Sequence, residues 1–303
     1  MIVGMRSTAA LTAFVGGMLV LAACGSQQAG SSDGDVTPTA DPPAGMVPDD
    51  YAGRYRATLT VLSSPAHGPQ LCSFVMESYP PQCEGPDVAG WDWAVVQHES
   101  ALGTSWGTYD VVGTFDDNVF TLTEPPIHRR SNAPTAPDER KPVSPCPEPA
   151  DGWPIPDASK ARQEDMARIG SAARTVDGYA GVWIGWLIPD AEITERSSAD
   201  PDNFVVNVLT TGDIAATERA VRDVWGGKLC VASAHHTERE LRQIADQVVD
   251  TPGMTSVGTD EIRGKVTIGV WVAYEALWQQ LAAEHGADVI ELAGLLRPID
   301  RHK

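Results

Sequence analysis

Apolar and polar residues alternate through much of 51–124 with the two-residue period of half-buried strands. Ala57, Leu59 and Val61 are separated by Thr58 and Thr60, and Gln70–Val75 and Trp91–Val96 are two further strand candidates. Tyr109, Val111, Gly113 and Phe115 share one face, Asp116-Asp117-Asn118 supplies a turn, and Phe120 and Leu122 resume the alternation. That pattern predicts a β-hairpin. About five short strands in this length predict a small all-β domain, and a Greek-key barrel of OB type fits the count.

Beyond residue 157 the period changes. Met166, Ile169, Ala173 and Val176 form one stripe of a helix predicted over 158–176, and Leu241, Ile244, Ala245 and Val248 form another over 238–249. Further helices are predicted over 213–225 and 274–285. Strands are predicted over 179–188, 203–209, 228–232, 265–273 and 288–292. Two stretches look alike: the strand at Phe204 leads through a helix to the strand near Cys230, and the strand at Val266 leads through a helix to the strand near Val289. Two β-α-β units of near-equal length predict an α/β domain over 158–303 of ferredoxin-like kind, with an internal duplication. The helix over 238–249 is then extra. The overall expectation is an α+β chain.

Two segments break these patterns. Residues 24–50 are rich in Gly, Ser, Pro and Asp without hydrophobic period, which predicts a flexible tether. Ten prolines fall between Pro125 and Pro156, so 125–157 reads as an extended connector that excludes helix and central strand.

The first 23 residues read as an export signal. Arg6 supplies the positive start, and the uncharged run from Ala9 to Ala23 is shorter than the roughly 20 residues a spanning helix needs. It ends in Leu21-Ala22-Ala23-Cys24, followed by Gly25. This ending resembles the lipobox of bacterial lipoproteins. The resemblance implies cleavage before Cys24, diacylglycerol on its thiol, and residence at the extracytoplasmic face of the cell membrane. Composition and layout resemble secreted proteins of actinobacteria, which implies no activity.

Charge narrows the partners. Lys and Arg number 22 against 41 Asp and Glu, a net −19. So acidic a chain repels nucleic acid and anionic lipid headgroups, so attachment to the membrane falls to the lipid alone. With Cys24 set aside, Cys72, Cys83, Cys146 and Cys230 remain. An even number in an oxidising compartment predicts two disulfides, and of the three pairings nearness along the chain favours Cys72–Cys83 and hence Cys146–Cys230. No C-x-x-C spacing suggests a metal instead.

Four motifs invite chemistry, and each has a plainer reading. Gly103-Thr104-Ser105-Trp106-Gly107 matches the G-x-S-x-G nucleophile elbow, but the elbow needs a helix behind its serine and Thr108–Phe115 alternates as a strand. His236 and Glu240, four apart, could share a metal on a helix, yet Thr237 and Glu240 also form an S/T-x-x-E capping box. Trp91 and Trp93 would lie on one face of a strand as a ligand platform or as core, and Trp183 and Trp186 would lie on opposite faces of theirs. Asp116 and Asp117 could bind Ca²⁺, but suit a hairpin turn equally well. These residues name no catalytic, metal or cofactor site. They favour a tethered, non-enzymatic module that binds an extracellular ligand or envelope protein. The alternative is an envelope hydrolase whose groups converge only in the fold.

Overall fold

The alternation in 51–124 becomes a continuous β-structure in the computed structural model, which describes residues 40–129 and 143–300. The predicted leader and Cys24 lie outside the described residues, as does most of the tether. The strands are β1 (Tyr55–Ser64), β2 (His67–Cys72), β3 (Asp87–Ala89), β4 (Glu99–Ala101), β5 (Thr104–Asp116), β6 (Val119–Leu122) and β7 (Ile127–Arg129). β5 and β6 form the predicted hairpin, with Asp117 and Asn118 at its tip in the left-handed region, where Asn and Asp are tolerated best. The pairings return on themselves: β1 to β2, β2 to β3, β3 to β6, β6 to β5 and β5 to β1. Of these, β3 with β6 is parallel. β1 and β5, ten and thirteen residues long, are long enough to pair with more than two strands each. β5 carries Gly113 where it meets β6; a Cβ there would sit 2.2 Å from the Thr121 carbonyl oxygen, so only glycine allows the approach.

The α/β half is two copies of one element order. The first is α1 (Gln163–Ala173), β8 (Tyr179–Trp186), β9 (Phe204–Thr210), α3 (Ile214–Arg222) and β10 (Leu229–Ser233), with a short α2 (Glu195–Ser198) inserted after β8. The second is α4 (Glu238–Gln247), β11 (Met254–Asp260), β12 (Lys265–Val270), α5 (Glu275–His285) and β13 (Ile290–Gly294). Each makes its own three-stranded sheet, β10-β9-β8 and β11-β12-β13, with one antiparallel and one parallel pairing. A ferredoxin-like arrangement would instead lay both β-α-β units in a single sheet. The helix at Glu238 is not extra, because it is the counterpart of α1. Each sheet buries one face under its two helices. Ile169, Ala173 and Val221 meet Phe204, Val206 and Val208 in the first copy, and Leu241, Trp278 and Leu281 meet Val266, Ile268 and Val270 in the second. Strand outweighs helix, 35% against 22%, so the fold is α+β with mostly sheet.

Five expectations change. Trp91–Val96 is not a strand: Asp92 caps a single 3₁₀ turn over Trp93–Val95 by accepting the Ala94 amide at 2.9 Å. The predicted helix over 158–176 is split, because Asp157 caps its own turn through Ser159 while the Asp165 carboxylate accepts the Arg162 amide at 3.1 Å and starts α1 there. β11 was not anticipated. β7, inside the proline-rich connector, pairs with β5 at Thr108–Asp110, and Arg129 binds Asp110 beside it. The tether is ordered at its far end: Val47 is buried, its amide reaches the Ala273 carbonyl and its carbonyl receives the Glu275 amide.

The apolar cluster of the β unit is not supplied by that unit alone. Tyr55, Val61, Leu71, Tyr109, Val111 and Phe120 share it with Trp271, Val272 and Leu296. The last strand, β14 (Arg297–Pro298), pairs with β1, and Asp300 binds the Arg54 amide and guanidinium. All described residues belong to one unit spanning Thr39–Lys303.

Candidate functional site

Ser105 lies inside β5, opposite Ser63 of β1 and Ser100 of β4. The turn before it is Leu102-Gly103, both at positive φ, and a strand continues behind it. The string is therefore a hairpin rather than an elbow. Thr237 and Glu240 form both halves of the capping box: Glu240 Oε2 accepts the Thr237 amide at 2.7 Å, and the Glu240 amide donates to Thr237 Oγ1 at 3.1 Å. These bonds hold the Glu240 carboxyl below the usual carboxylate range. His236 meets Asp288 at 3.2 Å instead of Glu240, and that hydrogen bond lowers the Asp288 carboxyl. Among the described residues no group of three or more His, Cys, Asp and Glu is placed to hold a metal. Asp116 ends β5 opposite Val119, and Asp117 lies in the β5–β6 turn.

The indoles divide by role. Trp91 and Trp93 meet edge to face at 5.2 Å and both lie against Tyr109, which is fully buried and whose hydroxyl is pushed up to about 12 by that burial. The Trp93 indole donates to Ser63 Oγ at 2.7 Å. They are partly buried and pack against the apolar cluster of the β unit, reached through a turn. Trp186 stands edge-on to Phe204 at 5.8 Å within the helix-covered face of its sheet. Trp183 is on the opposite face and lines a cleft of about 550 Å³ with Leu209, His235, His236, Arg263 and Asp288. The ionic groups of that cleft are already engaged: Arg263 binds Asp260 and Glu291, and the Lys265 ammonium reaches the Asp288 carbonyl.

The structure joins Cys72 to Cys83 and Cys146 to Cys230. The second bond pins the connector to β10. The first closes a short loop beside the β1–β2 and β4–β5 turns, and there the surface is unusual. Phe74, Met76, Tyr79 and Leu102 are 69%, 51%, 80% and 81% exposed. Phe74, Met76 and Leu102 line a groove of about 670 Å³ together with Pro65 and Pro81, and Tyr79 stands exposed in the same loop as Phe74 and Met76. The loop is firmly seated. The disulfide packs on Leu62 and Trp106, Tyr79 stands edge-on to Trp106 at 6.2 Å, and Met76 bridges Gln82. Sequence reasoning missed these four residues. For Phe74, Met76 and Tyr79 the available signal was apolar side chains between two cysteines only 11 positions apart, too short a loop to build a core of its own.

No protein-family model matches the chain, and no curated protein matches it in sequence.

Proposed function

We propose that this chain is a membrane-anchored extracytoplasmic lipoprotein, held by lipid on Cys24, whose folded part is a non-enzymatic binding module of the cell envelope. The observation that carries the binding half is the exposed cluster of Phe74, Met76 and Leu102 around one groove, with exposed Tyr79 in the same disulfide-braced loop as Phe74 and Met76. Contiguous exposed apolar surface costs solubility and marks interaction sites, and aromatic and Met side chains are enriched there. The tethering half rests on the Leu21-Ala22-Ala23-Cys24 ending and on two disulfides of the kind an oxidising compartment supports. We further read the β unit as a five-stranded barrel of OB type, supported by its ring of pairings and its single parallel contact within that ring. The α/β half reads as a tandem duplication of an αββαβ unit.

Two experiments test the halves separately. Membrane-extracted protein should begin at a diacylglyceryl Cys24 by intact mass, and Cys24→Ala should release it; an unmodified Cys24 recovered from membranes overturns the tether. A photo-crosslinking amino acid at position 74, in intact cells, should give a discrete adduct that the same probe at exposed Val249 does not. No adduct from displayed protein overturns the binding module.

A further inference from the structure

Resting on that reading, we propose that the groove beside the Cys72–Cys83 loop docks a cationic, apolar segment of another protein. The argument begins with shape. A groove of about 670 Å³ lies within the range of built ligand sites and accepts a few apolar side chains at once. Its rim is already rigid. Besides the disulfide, the Ser78 hydroxyl donates to the Pro80 carbonyl at 2.9 Å and the Met76 amide to the Gln82 carbonyl at 2.9 Å. A braced loop loses little freedom on binding, so apolar contact there converts more fully into affinity.

Charge selects the occupant. Glu84 lines the groove, Glu77 stands exposed in the same loop, and exposed Glu99 begins β4 just ahead of Leu102. No Lys or Arg lines it among the described residues. A rim that carries Glu84 and no Lys or Arg, with two more exposed glutamates close by in sequence, complements Lys or Arg flanking Leu, Trp or Phe. The same rim opposes the other two occupants of an apolar face. A second copy would set glutamates against glutamates, and an anionic bilayer would repel a chain of net −19.

Leu102 gives an independent sign. It sits at φ 51, in the left-handed region, and is 81% exposed. Gly or Asn takes that conformation at less cost, and a leucine there gains nothing from burial in this chain. A strained, exposed apolar residue at the lip of an apolar groove is accounted for by a partner that covers it.

The test uses the oxidised, folded protein and two short fluorescent peptides of equal Leu and Trp content, one with lysines and one with glutamates at its polar positions. The lysine peptide should bind at least about tenfold tighter in low salt, with the preference shrinking as salt rises. Glu77→Lys with Glu84→Lys should reverse the preference. Leu102→Asn should weaken binding of the lysine peptide by about tenfold, the scale of an interface side chain that contributes without being a hot spot, and should not lower thermal stability. Equal binding of both peptides, or unaltered binding by Leu102→Asn, overturns the docking site. So does self-association in sedimentation that Leu102→Asn abolishes, or tighter binding to phosphatidylglycerol vesicles than to the lysine peptide. A crosslink at position 74 to a partner with no basic segment would sink this inference and leave the binding module standing.

Discussion

Leu296 lies some 240 residues from Tyr55 in sequence, yet both are 1% exposed in one apolar cluster. The same cluster takes Trp271 and Val272, and the Leu296 amide donates to the Trp271 carbonyl at 2.9 Å. Leu296→Ala removes three carbons from a fully buried site. Transfer alone is worth about 2.5 kcal/mol at ~0.8 kcal/mol per buried methylene, and the residual cavity brings the loss to about 3 kcal/mol, inside the band for buried Leu→Ala. For a unit of this size that is a fall in Tm of roughly 6–12 °C. Because Leu296 joins the β unit to the second α/β copy, both should lose stability together. Scanning calorimetry should show one transition, lowered by that amount. Hydrogen exchange should accelerate in parallel at amides of β1, β5 and β12. A shift below about 2 °C would refute the reasoning. So would a protein in which β1 and β5 lose protection while β12 keeps it, since the β unit would then be folding on its own core.

Three other outcomes follow from particular contacts. The Cys146–Cys230 bond closes a loop of 84 residues and Cys72–Cys83 one of 11, so chain entropy alone makes them worth about 4.5 and about 3 kcal/mol. Urea unfolding of the paired Cys→Ser variants should therefore show the 146/230 pair as the more damaging loss; the reverse order would mean that native contacts outweigh loop length. Thr237→Ala should cost about 1 kcal/mol through the α4 cap. Glu240 titrates lower folded than unfolded, so its stabilisation is present above its ordinary value of 4.5 and is lost as pH falls through the folded one. Stability of Glu240→Gln should accordingly depend less on pH across that acid window than stability of the parent; an unchanged acid slope would remove Glu240 from the account.

How far each feature was legible depended on how local its cause is. The β5–β6 hairpin was legible because alternation and an Asp-Asn tip act within a few residues. The start of α4 was legible because its capping box spans only the four residues from Thr237 to Glu240, and the stripes of α1 and α4 because helical period is a local property. The disulfide pairing followed nearness along the chain. β11 escaped because Met254–Asp260 holds small and polar residues whose alternation is weak, and it becomes a strand only by pairing with β12. β3 and β4 are three residues each, too short to carry a period, and exist through β2, β6 and β5. Val47 looked like tether until residues 273–275 offered it two backbone bonds and a core. The candidate site was the least legible. Phe74 and Met76 share a groove with Leu102 only because the disulfide folds their loop against the end of β1 while β5 carries the β4–β5 turn alongside. By itself the sequence determined which short segments form strand or helix and which ends are capped, since those preferences act between neighbours. The closure of the β ring, the core shared between the β unit and the second α/β copy, and the exposure of four apolar side chains were decided by tertiary structure. Whether an apolar side chain is covered depends on residues far along the chain, and no local period records them.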